Sequence, residues 1–301
     1  MAQQITASVA PEILEIPRAE LRRIVTTALT EDIGSGDITT DNLVPAQTLT
    51  RAAVVYRSAG VVCGVHVLAA VFHAIDDRVA VEQLVPDGEK VARGTTVALV
   101  RGSARSILKG ERVALNFVQR MAGIATATAR YVEAVGDLPV HVIDTRKTTP
   151  GLRVLERYAV RVGGGRNHRF NLSDGALVKD NHLVALRNQG IGTVEALRLL
   201  RDRIPHTVRI QVEVDRLDQI PEMLEAGVDA ILFDNMTPEQ VREAVRMVAG
   251  RAVTEVSGGV RLETVRAYAE AGIDVVSSGA LTHSTPALDV GLDFEIDPGA
   301  V

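Results

Sequence analysis

Side chains that could do chemistry recur in the second half of this 301-residue chain, where apolar runs end. In chain order the positions are Arg146 and Lys147, Lys179, Glu213, Asp234, Ser257 with Gly258 and Gly259, and Gly279 followed by His283. Taken singly, each is explained as the cap of a strand or helix. Parallel strands, however, place their carboxyl ends at one rim. Six such positions in succession therefore favour a common ligand site.

Positive charge is concentrated between residues 144 and 182. The segment has eight basic and four acidic side chains, hence +4, whereas the whole chain has 33 basic, 38 acidic and a net charge of −5. One group of cations fits a solvated helix face, namely Arg153, Arg157 and Arg161. A second group lies beside predicted strand ends or glycines, namely Arg146, Lys147, Arg169 and Lys179. Because such cations bind carboxylates and phosphates, the sequence predicts a small polyanionic substrate.

Two acids, Glu213 and Asp234, project from neighbouring runs into this basic region. Two carboxylates there can hold a Mg²⁺ ion that keeps several waters, bind sugar hydroxyls, or stabilise positive charge that develops on a sugar carbon. The structural alternative is that they bridge Lys147 and Lys179. Either lysine could also form a Schiff base with a carbonyl substrate.

Two glycine-rich segments are candidates for anion binding. Residues 162–169, VGGGRNHR, fit a helix end with a tight turn and a backbone phosphate cradle equally well. The SGG turn at 257–259 is more typical of an anion site, because a helix predicted from Leu262 follows it and helix N-terminal amides are free to donate. His168 and His283 are predicted to lie in exposed loops and join the candidate site.

The elements that must position these residues are parallel βα units. From residue 138 onward, six apolar runs alternate with amphipathic helices. From Glu213 to Asp234, Ser257 and Gly279 the steps are 21, 23 and 22 residues, one βα unit each. The helix after Thr237 has a hydroxyl N-cap, a proline at its first position and a glutamine three residues past the cap. This pattern predicts a parallel sheet with both faces covered.

The first half of the chain has a different rhythm. Pro17 opens a predicted helix. Residues 49–100 contain short β-type runs separated by glycine and proline, which predicts a small antiparallel sheet. Residues 106–135 are a long predicted helix with one weak point at Gly123, interpreted as a hinge between two domains.

Composition excludes several classes of protein. The chain is net acidic, has no Trp and is 3% aromatic, so we expect no nucleic-acid partner. No run reaches the roughly 18 apolar residues of a membrane span, and no Lys or Arg precedes Arg18, which argues against a signal peptide. The single cysteine, Cys63, excludes an intrachain disulfide and favours a reducing, cytoplasmic setting.

Several motifs together resemble the quinolinate phosphoribosyltransferase family. In order, between about Leu21 and Asp293, they are GDITT, LKGERVALN, DTRKTTPGLRVLERYAVRVGGGRNHR, DGALVKDNHL, VEVD, LFDN, EVSGGV and SGALTHS. The resemblance implies a type II phosphoribosyltransferase fold, an α/β architecture with an open-faced N-terminal α/β sandwich domain and a C-terminal parallel α/β barrel of about six strands. We expect these domains at 1–122 and 123–283, with the C-terminal tail, 284–301, packing back on the first.

The resemblance also implies an activity. It is the transfer of phosphoribose from phosphoribosyl pyrophosphate to quinolinate, giving nicotinate mononucleotide, pyrophosphate and CO2 in NAD biosynthesis, with Mg²⁺ as cofactor. The catalytic residues that it implies are Lys147, Lys179, Glu213 and Asp234, the two acids lying near the ribose hydroxyls and Mg²⁺. The implied ligands of the quinolinate carboxylates are Arg112, Arg146, His168 and Arg169. The implied phosphate contacts are Ser257, Gly258, Gly279 and His283.

The family resemblance further implies a homodimer in which an arginine of one subunit completes the site of the other. Arg57 is our candidate for that residue, and Arg51 is the alternative.

Three other functions compete with this one. A related type II phosphoribosyltransferase could act on another acceptor, but Arg112, Arg146, His168 and Arg169 favour a diacid. A non-catalytic anion-binding barrel gains nothing from acids at 213 and 234. A Schiff-base aldolase would be trapped by borohydride with a carbonyl substrate.

Overall fold

The computed structural model describes residues 15–294. Its strands are β1 (Leu49–Tyr56), β2 (Gly60–Val61), β3 (Ala80–Gln83), β4 (Lys90–Val91), β5 (Thr96–Ser103), β6 (His141–Ile143), β7 (Ala176–Val178), β8 (Ile210–Val214), β9 (Ala230–Asp234), β10 (Val253–Ser257), β11 (Val275–Ser277) and β12 (Val290–Phe294). Its α-helices are α1 (Arg18–Ile33), α2 (Ile38–Leu43), α3 (Val65–Ile75), α4 (Ala104–Val135), α5 (Arg153–Val162), α6 (Asp180–Arg187), α7 (Thr193–Arg203), α8 (Ile220–Glu225), α9 (Pro238–Val248), α10 (Val265–Ala269) and α11 (Ala280–His283). A 3₁₀ turn, Leu217–Gln219, precedes α8.

The chain divides into two compact units, and the described part of the first covers residues 15–127, 149–164 and 285–294. Its main sheet is antiparallel in the order β12-β1-β5-β3, as the glycine-punctuated runs predicted. Along β1, Ala52, Val54 and Tyr56 are buried and alternate with more exposed residues, so one face of the sheet forms a core. The last strand, β12, extends this sheet, whereas residues 295–301 of the expected tail lie outside the described residues.

The segment 149–164 belongs to the first unit although it lies between β6 and β7 in sequence, so the units differ from a single division after residue 122. Buried Glu156 of α5 explains this assignment. It accepts hydrogen bonds from the Arg120 guanidinium and from the backbone and hydroxyl of Thr149. Tyr158, also on α5, donates to Asp87 at 2.9 Å.

Gly123 lies inside α4, which is continuous from Ala104 to Val135, and the division between the two units falls in the same helix, after Ala127. A Cβ atom at this position would lie 2.2 Å from the carbonyl oxygen of Pro286 in the same unit. The glycine is needed because the chain near Pro286 packs directly on the helix.

The second unit covers residues 128–148 and 165–284. Its sheet has six parallel strands in the order β6-β11-β10-β9-β8-β7, which confirms the predicted βα units. Central strand residues such as Val212, Ile231 and Phe233 are fully buried, as expected for a sheet covered on both faces. Thr237 and Gln240 form the predicted capping box at the start of α9.

Within residues 15–294, no helix combines the length and apolar character required to cross a membrane.

Candidate active site

The carboxyl ends of the parallel strands bring the predicted chemistry together. In the sheet register, Ser257 of β10 pairs with Asp234 of β9, and Glu213 of β8 pairs with Leu232, two residues before Asp234. Lys179 directly follows β7 and precedes α6. Because the strands are parallel, these side chains lie along one edge of the sheet.

A cavity of about 580 Å³ opens at this edge, a size suited to a small-molecule ligand. Nine of the predicted site residues line it, namely Arg146, Lys147, His168, Arg169, Lys179, Glu213, Asp234, Ser257 and Gly258. The remaining lining residues are Thr145, Leu177, Leu232, Asn235, Glu255, Gly259 and Ser277.

Two guanidinium groups and two ammonium groups make this cavity a site for anions. Burial, together with the positive charge of Arg146, lowers the pKa of the Arg169 guanidinium. The Nη1 atom of Arg169 donates to the Gly175 carbonyl at 2.8 Å, which holds the guanidinium in place. Like charges placed side by side repel, and an anionic ligand between them relieves that repulsion. The arrangement therefore favours a ligand with more than one negative group.

The two acids face the lysines. Lys179 Nζ donates a hydrogen bond to Glu213 Oε2 at 3.1 Å. Burial and the charge of Glu213 raise the pKa of Asp234 above its ordinary value, although Lys179 and Lys147 act in the opposite direction. Burial is the larger cause of the raised pKa and repulsion from Glu213 the second, so an added cation or a developing positive charge would stabilise both carboxylates.

Within the described part of the chain, no cluster of three or more His, Cys, Asp and Glu side chains is arranged to hold a metal. A Mg²⁺ ion commonly binds one or two carboxylates and completes its shell with waters and substrate phosphates. Glu213 and Asp234 have the oxygen chemistry for that second kind of site.

The SGG turn approaches Asn235 closely. A Cβ atom at Gly258, where φ is +86°, would lie 2.3 Å from Asn235 Oδ1, whereas one at Gly259, where φ is +65°, meets nothing within 4 Å. The helix that follows the turn is α10, which begins at Val265, three residues later than predicted, and the Val265 amide donates to the Arg261 carbonyl. Because a Cβ atom at Gly258 would clash with Asn235, this position of the turn requires glycine.

The other glycine run, VGGGR, ends α5. Gly163 is the C-cap and its amide donates to the Ala159 carbonyl, while Gly164 has φ of +87°. This geometry supports the helix-end interpretation of the run.

His168 is not an exposed-loop residue, because its side chain is only 17% exposed. Its backbone amide donates to Asp144 Oδ1 at 2.8 Å, and Asn167 Nδ2 donates to Asp144 Oδ2 at 2.7 Å. Its Nε2 atom lies 3.1 Å from Gln211 Oε1 and 3.5 Å from Glu255 Oε2. Burial opposes the charged imidazole, but hydrogen bonding and charge from Glu255 outweigh burial and raise the pKa of His168.

Gly279 and His283 adjoin Lys147 although they do not line the cavity. A Cβ atom at Gly279 would lie 2.9 Å from Lys147 Cδ and 3.0 Å from the His283 ring. The Thr282 hydroxyl donates to the Lys147 carbonyl at 2.7 Å. These contacts hold Lys147 against Gly279 and helix α11.

Two predicted substrate ligands, Arg57 and Arg112, belong to the first unit. Arg112 lies exposed on α4. Arg57 follows β1 and forms an ion pair with Asp293 of the same unit.

Models of the quinolinate phosphoribosyl transferase N-terminal and C-terminal domains match residues 37–122 and 124–293, respectively. The chain belongs to the quinolinate phosphoribosyltransferase family. The probable nicotinate-nucleotide pyrophosphorylase [carboxylating] of Bacillus subtilis (strain 168) is 39% identical over 282 residues, covering 94% of this chain and 96% of the relative. The nicotinate-nucleotide pyrophosphorylase [carboxylating] of Mycobacterium leprae (strain TN) is 44% identical, with coverage of 91% and 96%. The crystal structure of NadC from Streptococcus pyogenes has a TM-score of 0.88 and 40% identity, and the match covers 94% of this chain and 100% of that one.

Two polar residues of this family member escaped sequence reasoning because they lie inside apolar strands. Gln211 and Glu255 each precede a predicted rim residue, Glu213 or Ser257, by two positions. Side chains two apart on a strand share a face. That alternation was the available signal, since it places both polar groups one layer deeper on the ligand-facing side.

Proposed function

We propose that this protein joins quinolinate to the ribose of phosphoribosyl pyrophosphate, releasing pyrophosphate and CO2 and forming nicotinate mononucleotide for NAD biosynthesis. The observation that carries the proposal is the single cavity in which two arginines and two lysines meet the carboxylates of Glu213 and Asp234, in a fold of this family. Quinolinate carries two carboxylates and its co-substrate several phosphate charges, so one pocket for both requires clustered cations.

We assign Arg146 and Arg169 to the carboxylates of quinolinate. Their adjacent guanidinium groups suit a diacid, and each can bind a carboxylate through two parallel hydrogen bonds. We assign Lys147 and Lys179 to the phosphates, with Ser257 and its glycine turn. Arg112, His168, Gly279 and His283 remain proposed substrate contacts.

In the reaction, the lone pair of the pyridine nitrogen forms a bond to ribose C1 as the bond from C1 to the pyrophosphate oxygen breaks. Glu213 and Asp234 stabilise the positive charge that develops on the ribose, and the lysines stabilise the charge of the leaving group. The pyridinium then accepts the electron pair of the breaking bond between the ring and the adjacent carboxylate. CO2 leaves, and the ring carbon takes up a proton.

We propose Mg²⁺ as the cofactor, held by Glu213 and Asp234 with retained waters. When bound, it would neutralise charge on the pyrophosphate group. Burial and, after it, the charge of Glu213 raise the pKa of Asp234, and this supports the assignment because a cation between the two carboxylates lowers their repulsion.

We also propose that the enzyme is a homodimer and acts in the cytoplasm. Arg57 is the proposed contribution to the neighbouring site, and its ion pair with Asp293 must then open or be shared in the dimer. Buried, free Cys63 supports a reducing compartment.

The test is to supply the purified protein with phosphoribosyl pyrophosphate, Mg²⁺ and either quinolinate or nicotinate, and to measure pyrophosphate and CO2. We expect equal amounts of both products from quinolinate and little turnover of nicotinate. Turnover of nicotinate in preference to quinolinate, or pyrophosphate release without CO2, contradicts the proposal. Addition of excess EDTA should abolish turnover, and MgCl2 should restore it.

A further inference from the structure

Glu255 is a buried carboxylate in the candidate site that the mechanism above does not use. It lies within β10, two residues before Ser257, and is 4% exposed. It nevertheless lines the cavity. A buried carboxylate destabilises a fold unless it is well paired, so this one calls for an explanation.

A chain of hydrogen bonds leads from Arg169 to Glu255. The Arg169 amide donates to His168 Nδ1 at 2.6 Å, and His168 Nε2 lies 3.1 Å from Gln211 Oε1. Gln211 Nε2 then donates to Glu255 Oε2 at 2.7 Å. Because Nδ1 accepts a hydrogen bond, the neutral imidazole carries its proton on Nε2 and donates it to Gln211. All three bonds therefore point toward the carboxylate, and bonds aligned in this way strengthen one another.

This series of hydrogen bonds begins at Arg169, which the proposed function places against quinolinate. The Arg169 backbone is held by the His168 ring, and its guanidinium is held by the Gly175 carbonyl. Two anchors are useful here because the guanidinium lies close to Arg146, whose like charge repels it. Loss of the backbone anchor should let Arg169 move away from the carboxylate that it binds.

Folding alone does not account for Glu255. The buried carboxylate Glu156 provides the comparison, since Arg120 and Thr149 together donate to both of its oxygens. Glu255 Oε1, by contrast, is buried without a hydrogen-bond partner among residues 15–294. A neutral side chain in its place would spare the fold this unsatisfied charge.

We propose that Glu255 is a positioning residue that acts on His168, chiefly through Gln211 and also across its own 3.5 Å approach to Nε2, to hold Arg169 in the geometry that binds quinolinate. This inference rests on the proposed function and gives Gln211 and Glu255, which lie within strands of the sheet, a role in the recognition of quinolinate. In this role His168 orients Arg169 in addition to its proposed contact with substrate.

The experiment compares steady-state kinetics of the wild-type enzyme with Glu255→Gln, which removes the charge but keeps the shape, and Gln211→Met, which breaks the middle link but keeps Glu255. We expect the KM for quinolinate to rise about tenfold in each, as for one charge-assisted hydrogen bond, without a matching rise in the KM for phosphoribosyl pyrophosphate. In a His168→Ala background, where the link is already broken, Glu255→Gln should cause no further rise. The matched control is Glu156→Gln, which should lower thermal stability but leave the KM for quinolinate unchanged.

The outcomes separate the two proposals. A wild-type enzyme that fails to convert quinolinate overturns the proposed function and this inference with it. An active wild type, with normal quinolinate KM in both Glu255→Gln and Gln211→Met, overturns the positioning role alone. The positioning role is also overturned if Glu255→Gln raises the KM for quinolinate equally in the wild-type and His168→Ala backgrounds. If Glu255→Gln does not fold, the KM of Gln211→Met decides.

Discussion

Replacement of Gly258 by alanine tests whether the close contact between Gly258 and Asn235 is needed at the carboxyl edge of the parallel sheet. The added methyl group would lie 2.3 Å from Asn235 Oδ1, 2.8 Å from its Cγ and 2.9 Å from its backbone nitrogen. These contacts include backbone, so rotation of the Asn235 side chain does not remove the clash. Asn235 Nδ2 also donates to Asp234 Oδ2 at 2.8 Å, so displacement of Asn235 disturbs the acid proposed to face the ribose.

The neighbouring glycine supplies the control for this substitution. Gly258 and Gly259 both have positive φ, so alanine at either position is strained by about 1–2 kcal/mol. Only the methyl group at 258 meets other atoms within 4 Å. Overpacking of this kind adds about 1–3 kcal/mol, so Gly258→Ala should lose that much more free energy of unfolding than Gly259→Ala.

Urea denaturation measures the difference in stability, and steady-state assays measure its effect on the site. We expect kcat/KM for phosphoribosyl pyrophosphate to fall about tenfold to a hundredfold in Gly258→Ala, because small displacements of site groups reduce rates steeply. The loss in Gly259→Ala should be smaller. Equal stabilities and equal rates in the two variants would refute the argument that contact with Asn235 requires the glycine.

Three further predictions concern separate features. Arg169→Ala should raise the KM for quinolinate about a hundredfold, as expected when one partner of a buried charge pair is removed, and an unchanged KM would place the carboxylates elsewhere. Gly123→Ala should lower the free energy of unfolding by about 1–3 kcal/mol because of the clash with Pro286, and a urea midpoint equal to wild type would contradict that packing. In an NMR titration the pKa of His168 should lie above 6.5 and fall in Glu255→Gln, since burial and Arg169 lower this pKa while Glu255 and Gln211 raise it. The stabilisation from this raised pKa is fully present below about pH 6.5, the value in the unfolded chain, and is lost as pH rises through the higher pKa of the folded protein. A pKa of His168 that Glu255→Gln leaves unchanged would show that the carboxylate does not act on the ring.

Much of the fold was predictable because its signals are local. Six apolar runs predicted six parallel strands, and the hydroxyl, proline and glutamine around Thr237 predicted the start of α9. The rim residues were predictable for the same reason, because the point where an apolar run stops is also where a strand ends. Parallel pairing then brings Glu213, Asp234 and Ser257 to one edge whatever the details of packing.

The features that sequence reasoning missed depend on contacts between residues far apart in the chain. Gly123 looked like a helix weak point, and only the position of Pro286 shows that it permits close packing. His168 looked like an exposed loop residue, and only its contacts with Gln211 of β8 and Glu255 of β10 show that its side chain is enclosed. No sequence window contains both members of such a pair.

The amino-acid sequence by itself determined the order of strands and helices in the second half of the chain and most of the side chains at the rim, because hydrophobic periodicity and capping act within a few residues. It also carried the motifs of the family. The tertiary structure alone decided how those side chains are supported: Asn235 against Gly258, and Gln211 and Glu255 behind His168. These are contacts between different strands and turns, and their hydrogen bonds and steric clashes exist only once the sheet has aligned the strands.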